Sequence, residues 1–227
     1  MNILVLGRGK TGSLVEEIAR ERGHNVRAVD EFENVGGTAV RPEALSNIDV
    51  AIDFTAPSAV LGNIEACVRV GTRMVVGTTG WYEHMQHVRK LVQKYETGFV
   101  FGANFSVGVN LFFEIARAVA PALNLGYEGH MIERHHVQKK DAPSGTAVAI
   151  NNVLKAGSGK VLEIESVREG NIVGDHEIRL DSVNDSLLLS HSAKSRRGFA
   201  EGAVKAAEWI HDKRGFYDFK DVWRELR

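Results

Sequence analysis

Cysteine is nearly absent from the sequence, because Cys67 is the only one among 227 residues. A single thiol excludes an intramolecular disulfide, which favours a reducing compartment. The chain also lacks any apolar run close to the roughly 18 residues that a membrane helix requires. Its first residues, 1–6, are typical of a strand and do not show the pattern of a signal peptide. We therefore expect a cytoplasmic protein.

An excess of either charge is absent as well. The chain has 28 Lys and Arg against 29 Asp and Glu, which gives a formal net charge of −1. Without an overall basic field, neither nucleic acid nor a membrane surface is expected as a partner. The hydrophobic fraction of 44% and charged fraction of 25% are those of an ordinary globular protein. Any anionic ligand must therefore be held by local groups.

Short apolar runs alternate with helix-like segments through the first hundred residues. Their pattern predicts strands, separated by helices, at residues 3–6, 26–29, 50–52, 74–76 and 98–101. Strands that alternate with helices predict a parallel sheet with helices on both faces, which is the doubly wound α/β (Rossmann) fold. We assign residues 1–105 to this dinucleotide-binding domain.

The pattern changes after residue 105, where one helix at about 109–120 leads into longer strand-like segments. These segments span residues 126–135, 161–168, 171–180 and 185–191, and short turns at 169–170 and 184–185 join some of them. Turns of this kind favour hairpins. We predict a smaller α+β domain with a mostly antiparallel sheet over residues 106–195. A final helix at 198–211 and an aromatic tail follow, and residues 196–227 complete the first domain.

A glycine-rich loop follows the first predicted strand and precedes the first helix. Gly7, Gly9 and Gly12 form a GxGxxG pattern, which permits a tight turn and a close approach of the backbone to a pyrophosphate. An ATP-binding phosphate loop would need a glycine where Leu4 stands, so we exclude it. The alternative is a tight strand-to-helix turn without a ligand. Its position in the predicted fold favours dinucleotide binding.

Two further strand ends complete the predicted dinucleotide site. Asp30 ends the second strand, where a carboxylate accepts hydrogen bonds from the adenosine ribose. Together with Glu31 it would repel a 2′-phosphate, so we expect NADH to be preferred over NADPH unless a nearby Arg or Lys compensates. A solvated acid is the alternative. Gly77, Thr78 and Thr79 follow the fourth strand, where small residues let a nicotinamide ring approach the backbone.

Residues 133–146 concentrate proton donors and a predicted helix start. Strand alternation places Glu133 and His135 on one face and His136 on the other, and Lys139 follows closely. A helix beginning at 143–146 would leave backbone N–H groups without partners, and these suit a carboxylate. We infer a local cationic site for a dicarboxylate; the alternative is a capped helix with solvated lysines. Metal binding is not expected, because His84 and His87 lack a third ligand.

Taken together, these segments resemble the dihydrodipicolinate reductase family along nearly the whole chain. The family signature E-x-H-H-x-x-K-x-D-A-P-S-G-T-A is met at every defined position from 133 to 147. Supporting matches are found at 53–55, 77–80, 104–110, 168–176 and 217–222. Two departures lie in the nucleotide-binding half: the glycine loop is one residue tighter, with Thr11 where Met is common, and the segment between Asp30 and Asp49 is shorter.

The resemblance implies a role for each matching residue. His135 would donate the proton and Lys139 would be a second catalytic donor, while the substrate-binding set would be His136, Ser144, Gly145, Thr146 and Thr79. The cofactor-binding set would be Gly7, Arg8, Gly9, Lys10, Thr11, Gly12, Asp30, Gly77, Thr78, Thr79, Asn104 and Phe105. The resemblance also implies a homotetramer built through the sheets of the second domain, and a C-terminal tail folded onto the first.

The implied reaction is the reduction of 4-hydroxy-tetrahydrodipicolinate to tetrahydrodipicolinate by NAD(P)H, in diaminopimelate and lysine biosynthesis. Two alternatives remain open at this point. One is another NAD(P)-dependent dehydrogenase of a small amino or keto dicarboxylate, similar to an aspartate dehydrogenase. The other is a non-catalytic dinucleotide sensor, which would be expected to have lost donors such as His135 and Lys139.

Overall fold

The computed structural model describes residues 1–226. The chain divides into two compact units, Met1–Val107 with the C-terminal segment from Arg197, and Gly108–Arg196. The strands are β1 Asn2–Leu6, β2 Asn25–Val29, β3 Val50–Asp53, β4 Arg73–Val76, β5 Gly98–Phe101, β6 Glu128–His135, β7 Glu163–Arg168, β8 Asp175–Asp181, β9 Ser186–Ser192 and β10 Gly215–Asp218.

Helices connect most of these strands. The α-helices are α1 Lys10–Glu21, α2 Pro42–Leu45, α3 Pro57–Arg69, α4 Met85–Lys94, α5 Val107–Val119, α6 Gly145–Ser158, α7 Arg197–Ile210 and α8 Phe219–Val222. Short 3₁₀ segments lie at Val35–Val40, Tyr82–His84, Ala120–Asn124 and Trp223–Glu225. None of the helices in residues 1–226 has both the length and the apolar character needed to cross a bilayer.

The first unit is a six-stranded sheet in the order β2-β1-β3-β4-β5-β10, with every pair parallel. The five predicted strands and the doubly wound class are confirmed. The sixth strand, β10, was not predicted, because its four residues read as part of an aromatic tail. Phe216 of β10 stacks on Phe99 of β5 with ring centroids 5.2 Å apart, so cross-strand aromatic contact holds it.

Both faces of this sheet are covered. Along β1, Ile3 and Val5 pack against α1 and α7 on one face, whereas Leu4 and Leu6 face the helices on the other. All four side chains are fully buried, and burial of such a side chain is worth about 1.5 to 3 kcal/mol. The carboxyl ends of β1, β3 and β4 therefore lie at one fixed edge of the sheet, where the chain leaves β1 through its glycine loop.

The second unit has a four-stranded sheet in the order β7-β6-β8-β9. It is mostly antiparallel, as predicted, but β6 and β7 run parallel, because α6 carries the chain between them as a crossover. The hairpin predicted at Glu169 and Gly170 was wrong, since β7 and β8 each pair with β6 and not with each other. Helices α5 and α6 pack on one face around Met131, Ile150 and Ile178.

Candidate active site

The glycine loop of the first unit has a backbone conformation and close packing that residues with a Cβ atom could not adopt. Gly7 has a φ of +92°, and a Cβ on Gly12 would lie 1.8 Å from the carbonyl oxygen of Gly7. Gly9 has open space around its Cα and precedes α1 without a side-chain cap. The first turn of α1 contains no acidic residue. Its N–H groups and positive end of the helix dipole therefore suit a phosphate.

Two adjoining cavities open at this edge of the sheet. A cavity of about 640 Å³ is lined by residues that include Gly7, Arg8, Gly9 and Asp30. A second cavity, of about 470 Å³, is lined by the loop and by the end of β4, through Gly9, Lys10, Thr11, Gly12, Gly77, Thr78 and Thr79. Gly9 lines both cavities. Most of the predicted cofactor residues are thus brought together along one crevice at the carboxyl ends of the strands.

Asp30 is half-buried and organises the turn after β2. Its Oδ1 accepts hydrogen bonds from the N–H groups of Phe32 and Glu33, at 2.9 and 3.0 Å. Glu33 in turn accepts a hydrogen bond from the Asp30 N–H at 3.1 Å. The Arg8 guanidinium lies 4.0 Å from Glu33 and 3.5 Å from Glu16. Arg8, which lines the same cavity as Asp30, is therefore already paired with carboxylates, and Asp30 and Glu31 are the acids in the lining of that cavity.

Thr78 has a structural role that the sequence did not reveal. Its hydroxyl donates to the buried carboxylate of Asp53 at 2.7 Å, and Asn63 and Thr55 donate to the same carboxyl group. Burial raises the pKa of Asp53, and these hydrogen bonds oppose that shift. The hydroxyl of Thr78 is therefore occupied by its hydrogen bond to Asp53, whereas the neighbouring Thr79 is exposed.

The two remaining predicted cofactor residues line neither cavity. Asn104 accepts a hydrogen bond from the Ser106 N–H at 2.9 Å. Phe105 is buried in the core, and its ring contacts Phe54 and Phe219 with centroids 6.2 and 4.5 Å away. The Phe105 side chain is therefore part of the hydrophobic core of the first unit.

In the second unit, Glu133 and His135 lie on the same face of β6, as the alternation predicts. Both are buried, and the Nδ1 of His135 is hydrogen-bonded to Oε2 of Glu133. The other carboxylate oxygen accepts hydrogen bonds from Arg168 on β7, at 2.7 Å, and from the Ser144 N–H, at 3.2 Å. Since Glu133 accepts from both sides, Nδ1 of His135 is the donor.

The electrostatics of this cluster follow from burial and pairing. Burial alone would raise the pKa of Glu133, but hydrogen bonds, first that of Arg168, outweigh it and lower the pKa to about 2. Burial lowers the pKa of His135 below its ordinary value of 6.5, and the Glu133 carboxylate partly offsets this. The structure therefore contains an ionised Glu133 beside a histidine that is mostly neutral at pH 7.

Two histidines to which the sequence analysis gave no role complete the cluster. His176 on β8 lies with its ring centroid 5.3 Å from that of His135, and its Nε2 is 3.2 Å from the Ser144 hydroxyl. Burial lowers the pKa of His176 to about 4. His191 on β9 follows, with its centroid 6.4 Å from that of His176. The register of β6 with β8 aligns Glu133 with His176. This proximity could not be predicted from the sequence, because the pairing of the two strands was not known.

Ser144, Gly145 and Thr146 begin α6, as predicted. Ser144 is the N-cap, and its hydroxyl accepts a hydrogen bond from the Ala147 N–H at 3.1 Å. Lys139 is half-buried in the preceding loop and forms an ion pair with Asp141 at 2.8 Å. Its charge acts on His135, where it favours the neutral ring. The loop thus brings an ammonium group near the imidazole.

His136 faces away from His135, as the alternation predicts. Its N–H donates to the carbonyl of Ile172 at 2.7 Å, and its Nε2 lies 3.2 Å from an Arg196 guanidinium nitrogen. Elsewhere, His87 pairs with Glu65 at 2.7 Å. Within residues 1–226, no three His, Cys, Asp or Glu side chains are grouped to hold a metal ion.

Comparison with solved structures identifies proteins that have the same fold as this chain. Dihydrodipicolinate reductase from a Paenisporosarcina species, solved with dipicolinate bound, superposes with a TM-score of 0.81 at 22% identity, over 98% of this chain and 99% of that one. An aspartate dehydrogenase from Thermotoga maritima reaches a TM-score of 0.50 at 11% identity. These likenesses concern the fold alone.

Comparison with sequences identifies the family. The protein named 4-hydroxy-tetrahydrodipicolinate reductase from Christiangramia forsetii is 37% identical. The alignment is 243 positions long with its gaps and covers 100% of this chain and 99% of that protein. The protein of the same name from Chromobacterium violaceum is 41% identical over 79% of this chain and 74% of its own length. The family models for the N-terminus and C-terminus of dihydrodipicolinate reductase match residues 1–105 and 108–223. The chain belongs to the dihydrodipicolinate reductase family.

Proposed function

We propose that this chain reduces 4-hydroxy-tetrahydrodipicolinate to tetrahydrodipicolinate with NAD(P)H, and that His135 supplies the proton. The observation that carries the proposal is the buried hydrogen bond between His135 and Glu133, set in a complete family signature. Its full-length relatives share the name of this activity. The two units divide the work, since the first holds the coenzyme and the second holds the donors.

The first unit fits a dinucleotide. Gly7 and Gly12 let the loop pack closely against neighbouring backbone, and the open space around Gly9 leaves room at the start of α1 for the pyrophosphate. Asp30 and its cavity would hold the adenosine ribose, and the loop after β4, with Gly77 and Thr79, would hold the nicotinamide end. When bound, the reduced nicotinamide supplies a hydride. The backbone atoms of Thr78, Asn104 and Phe105 remain in the proposed set.

NADH is the preferred coenzyme in this proposal. Asp30 and Glu31 line the cavity proposed for the ribose, Glu33 is hydrogen-bonded to Asp30, and Arg8 is paired with Glu16 and Glu33. A 2′-phosphate would meet several carboxylates and no free guanidinium from Arg8. Repulsion between like charges therefore favours the 2′-hydroxyl of NADH.

After the hydroxyl group of the substrate has left as water, one ring carbon accepts the hydride and His135 donates the proton to the neighbouring carbon. Its pKa is lowered in the protein alone, so the protonated ring is scarce at pH 7. A bound dicarboxylate adds negative charge beside the ring, which raises the pKa of His135 and loads it with a proton. Substrate binding and proton supply are thereby coupled. A positioned acid contributes about 10² to 10⁴-fold to turnover.

Lys139 and the start of α6 bind the substrate's negative charge. Lys139 is the second catalytic donor, and it exchanges Asp141 for a carboxylate of the substrate. Ser144, Gly145 and Thr146 stand at the positive end of α6, where the helix dipole favours a second carboxylate. His136 and Thr79 complete the proposed substrate-binding set, and no metal takes part.

The assembly proposed for the second unit is a homotetramer formed through its sheet. Strand β9 is at the edge of that sheet, and within residues 1–226 it pairs with β8 alone. Leu188 on this strand is 63% exposed. An exposed edge with apolar side chains favours pairing with another chain. We also propose a cytoplasmic location, on the basis of the single, buried Cys67.

The test is an assay of NADH and NADPH oxidation with two substrates. With freshly generated 4-hydroxy-tetrahydrodipicolinate, we expect rapid oxidation and a higher kcat/KM for NADH than for NADPH. With oxaloacetate and ammonia, the substrates of an aspartate dehydrogenase, we expect none above background. Turnover only with oxaloacetate and ammonia would overturn the proposal. Coenzyme binding without turnover of either substrate would instead indicate a dinucleotide sensor.

A further inference from the structure

The carboxylate of Glu133 has no solvent exposure and contacts the proposed donor at Nδ1 of its ring. It accepts the Nδ1–H of His135 on one oxygen, and Arg168 and the Ser144 N–H donate to the other. Three strands or helices thus converge on one carboxylate, namely β6, β7 and the start of α6. A buried charge of this kind is costly unless it is fully hydrogen-bonded, as it is here.

Arg168 has a second contact that ties the cluster to the Lys139 loop. The same guanidinium nitrogen that reaches Glu133 donates to the carbonyl oxygen of Asp141, while the other terminal nitrogen donates to the carbonyl of Val167 at 2.7 Å. Asp141 is the partner of Lys139. Arg168 therefore spans from the carboxylate behind His135 to the loop that carries the second proposed donor.

We propose that Glu133 and Arg168 are positioning residues, which fix neutral His135 with its proton on Nδ1 and leave Nε2 as the atom that gains and releases the catalytic proton. The inference rests on the proposed function for the role of His135. A neutral imidazole carries one N–H, so a carboxylate that accepts from Nδ1 selects the tautomer. Neither residue touches the substrate in this account, and both act through His135.

Other charged and titratable groups also surround the His135 ring. They are Arg168 on β7, His176 on β8 and Lys139 in the loop after β6, with His191 on β9 beyond His176. The charges of Lys139 and Arg168 favour the neutral ring of His135, as does its proximity to His176, and Glu133 favours the protonated ring. Removal of the Glu133 charge therefore has a defined sign: the pKa of His135 falls.

The first experiment measures the unsubstituted protein and uses a variant only to assign the resonance. Nitrogen-15 NMR of the imidazoles in the full chain, above the pKa of His135, should show a protonated Nδ1 and an unprotonated Nε2. The resonance is assigned by its loss in His135→Gln. A ring protonated on Nε2, or an even mixture of the two tautomers, would overturn the proposal. This result does not depend on which substrate the enzyme reduces, so it separates the inference from the proposed function.

The second experiment is Glu133→Gln, with NMR titration of His135 and a pH profile of kcat/KM. If His135 acts as an acid, kcat/KM falls as pH rises through its pKa. In the variant this falling limb moves to lower pH, and kcat drops by about 10²-fold while KM changes little. A loss of activity without movement of either the limb or the NMR pKa would indicate a merely structural role and contradict the proposal.

Two further variants serve as a control for specificity and a control for folding. Glu165→Gln on β7 is the matched control, because Glu165 lies 3.5 Å from His130 in an exposed pair and should leave the profile unchanged. Glu133→Gln leaves a buried guanidinium without its carboxylate partner, so the double variant Glu133→Gln with Arg168→Met removes both charges. It should fold and show a smaller acidic movement of the His135 pKa, because the loss of the Arg168 charge opposes part of the loss of the Glu133 charge; a pKa equal to or above that of the unsubstituted protein would contradict the proposal.

Discussion

The two units build their functional residues in opposite ways. In the first, the site is formed by backbone and space: glycines at 7, 9 and 12 make the loop, and one cavity extends on each side of Gly9. In the second, the site is formed by ionisable side chains that are buried and hydrogen-bonded to one another. A coenzyme with its own chemistry needs only to be held, whereas proton transfer needs groups with controlled pKa values.

Because of this difference, we expect the two units to respond to different perturbations. Acid acts on the second unit, because the pKa values of Glu133 and His176 are both lowered there, to about 2 and about 4. The buried acid of the first unit, Asp53, has a raised pKa, so protonation is easier in the folded state than in the unfolded chain. Added volume, by contrast, acts on the first unit, where there is no room for a Cβ at Gly7 or Gly12.

The largest expected effect is on acid stability and concerns His176. Its folded pKa of about 4 lies below its unfolded value near 6.5, so the unfolded chain binds more protons between these values. Stability conferred by neutral His176 is therefore present above pH 6.5 and lost as pH falls toward 4. Urea unfolding of the chain should lose roughly 2 to 3 kcal/mol over this interval, a loss that is absent in His176→Gln.

The control for this prediction is His84→Gln, since His84 is half-exposed in the first unit and should leave the pH dependence unchanged. Hydrogen exchange adds the regional test, because amides of the second unit should lose protection first as the pH is lowered toward 4. Equal loss of protection in both units, or a His176→Gln variant as acid-sensitive as the parent, would break the comparison.

The next effect is that of volume in the glycine loop. Gly12→Ala places a Cβ 1.8 Å from the Gly7 carbonyl oxygen, so it should lower the unfolding free energy by about 1 to 3 kcal/mol and abolish NADH binding. Gly9→Ala meets no atom within 4 Å and should leave unfolding unchanged. It should still weaken NADH binding, measured by fluorescence titration, because Gly9 lines both cavities. Normal NADH binding by both variants would remove the loop from the proposed site.

The smallest expected effect concerns coenzyme preference. Asp30→Asn keeps an oxygen that accepts from the Phe32 and Glu33 N–H groups and removes one charge. A partly exposed charge of this kind is worth about 0.2 to 1 kcal/mol, so the kcat/KM ratio of NADPH to NADH should rise at most about five-fold. Glu43→Gln, which lines neither cavity, serves as the control. A fall in the ratio would contradict the assignment of Asp30.

Much of this organisation could be predicted from local patterns. The alternation along β6 placed Glu133 and His135 on one face, and the residues before α6 predicted its start. Both features depend on residues close together in the sequence. The first five parallel strands were predicted for the same reason, because each is a short apolar run that a helix follows.

Long-range pairing explains what could not be predicted. Arg168 reaches Glu133 across 35 residues, and His176 reaches Ser144 across 32, through a strand register that no local pattern specifies. Strand β10 lies at the end of the chain and pairs with β5, more than a hundred residues earlier in the sequence. The hydroxyl of Thr78 was assigned to the coenzyme because nothing in the sequence indicated that Asp53 would be buried beside it.

The most direct test of this division of work is Lys139→Ala, assayed in the same preparation for turnover and for NADH binding. The account predicts a loss of kcat of about 10² to 10⁴-fold with an unchanged Kd for NADH, while Lys140→Ala, an exposed neighbour, retains turnover. Full turnover by Lys139→Ala, or a loss of NADH binding as large as the loss of turnover, would contradict it.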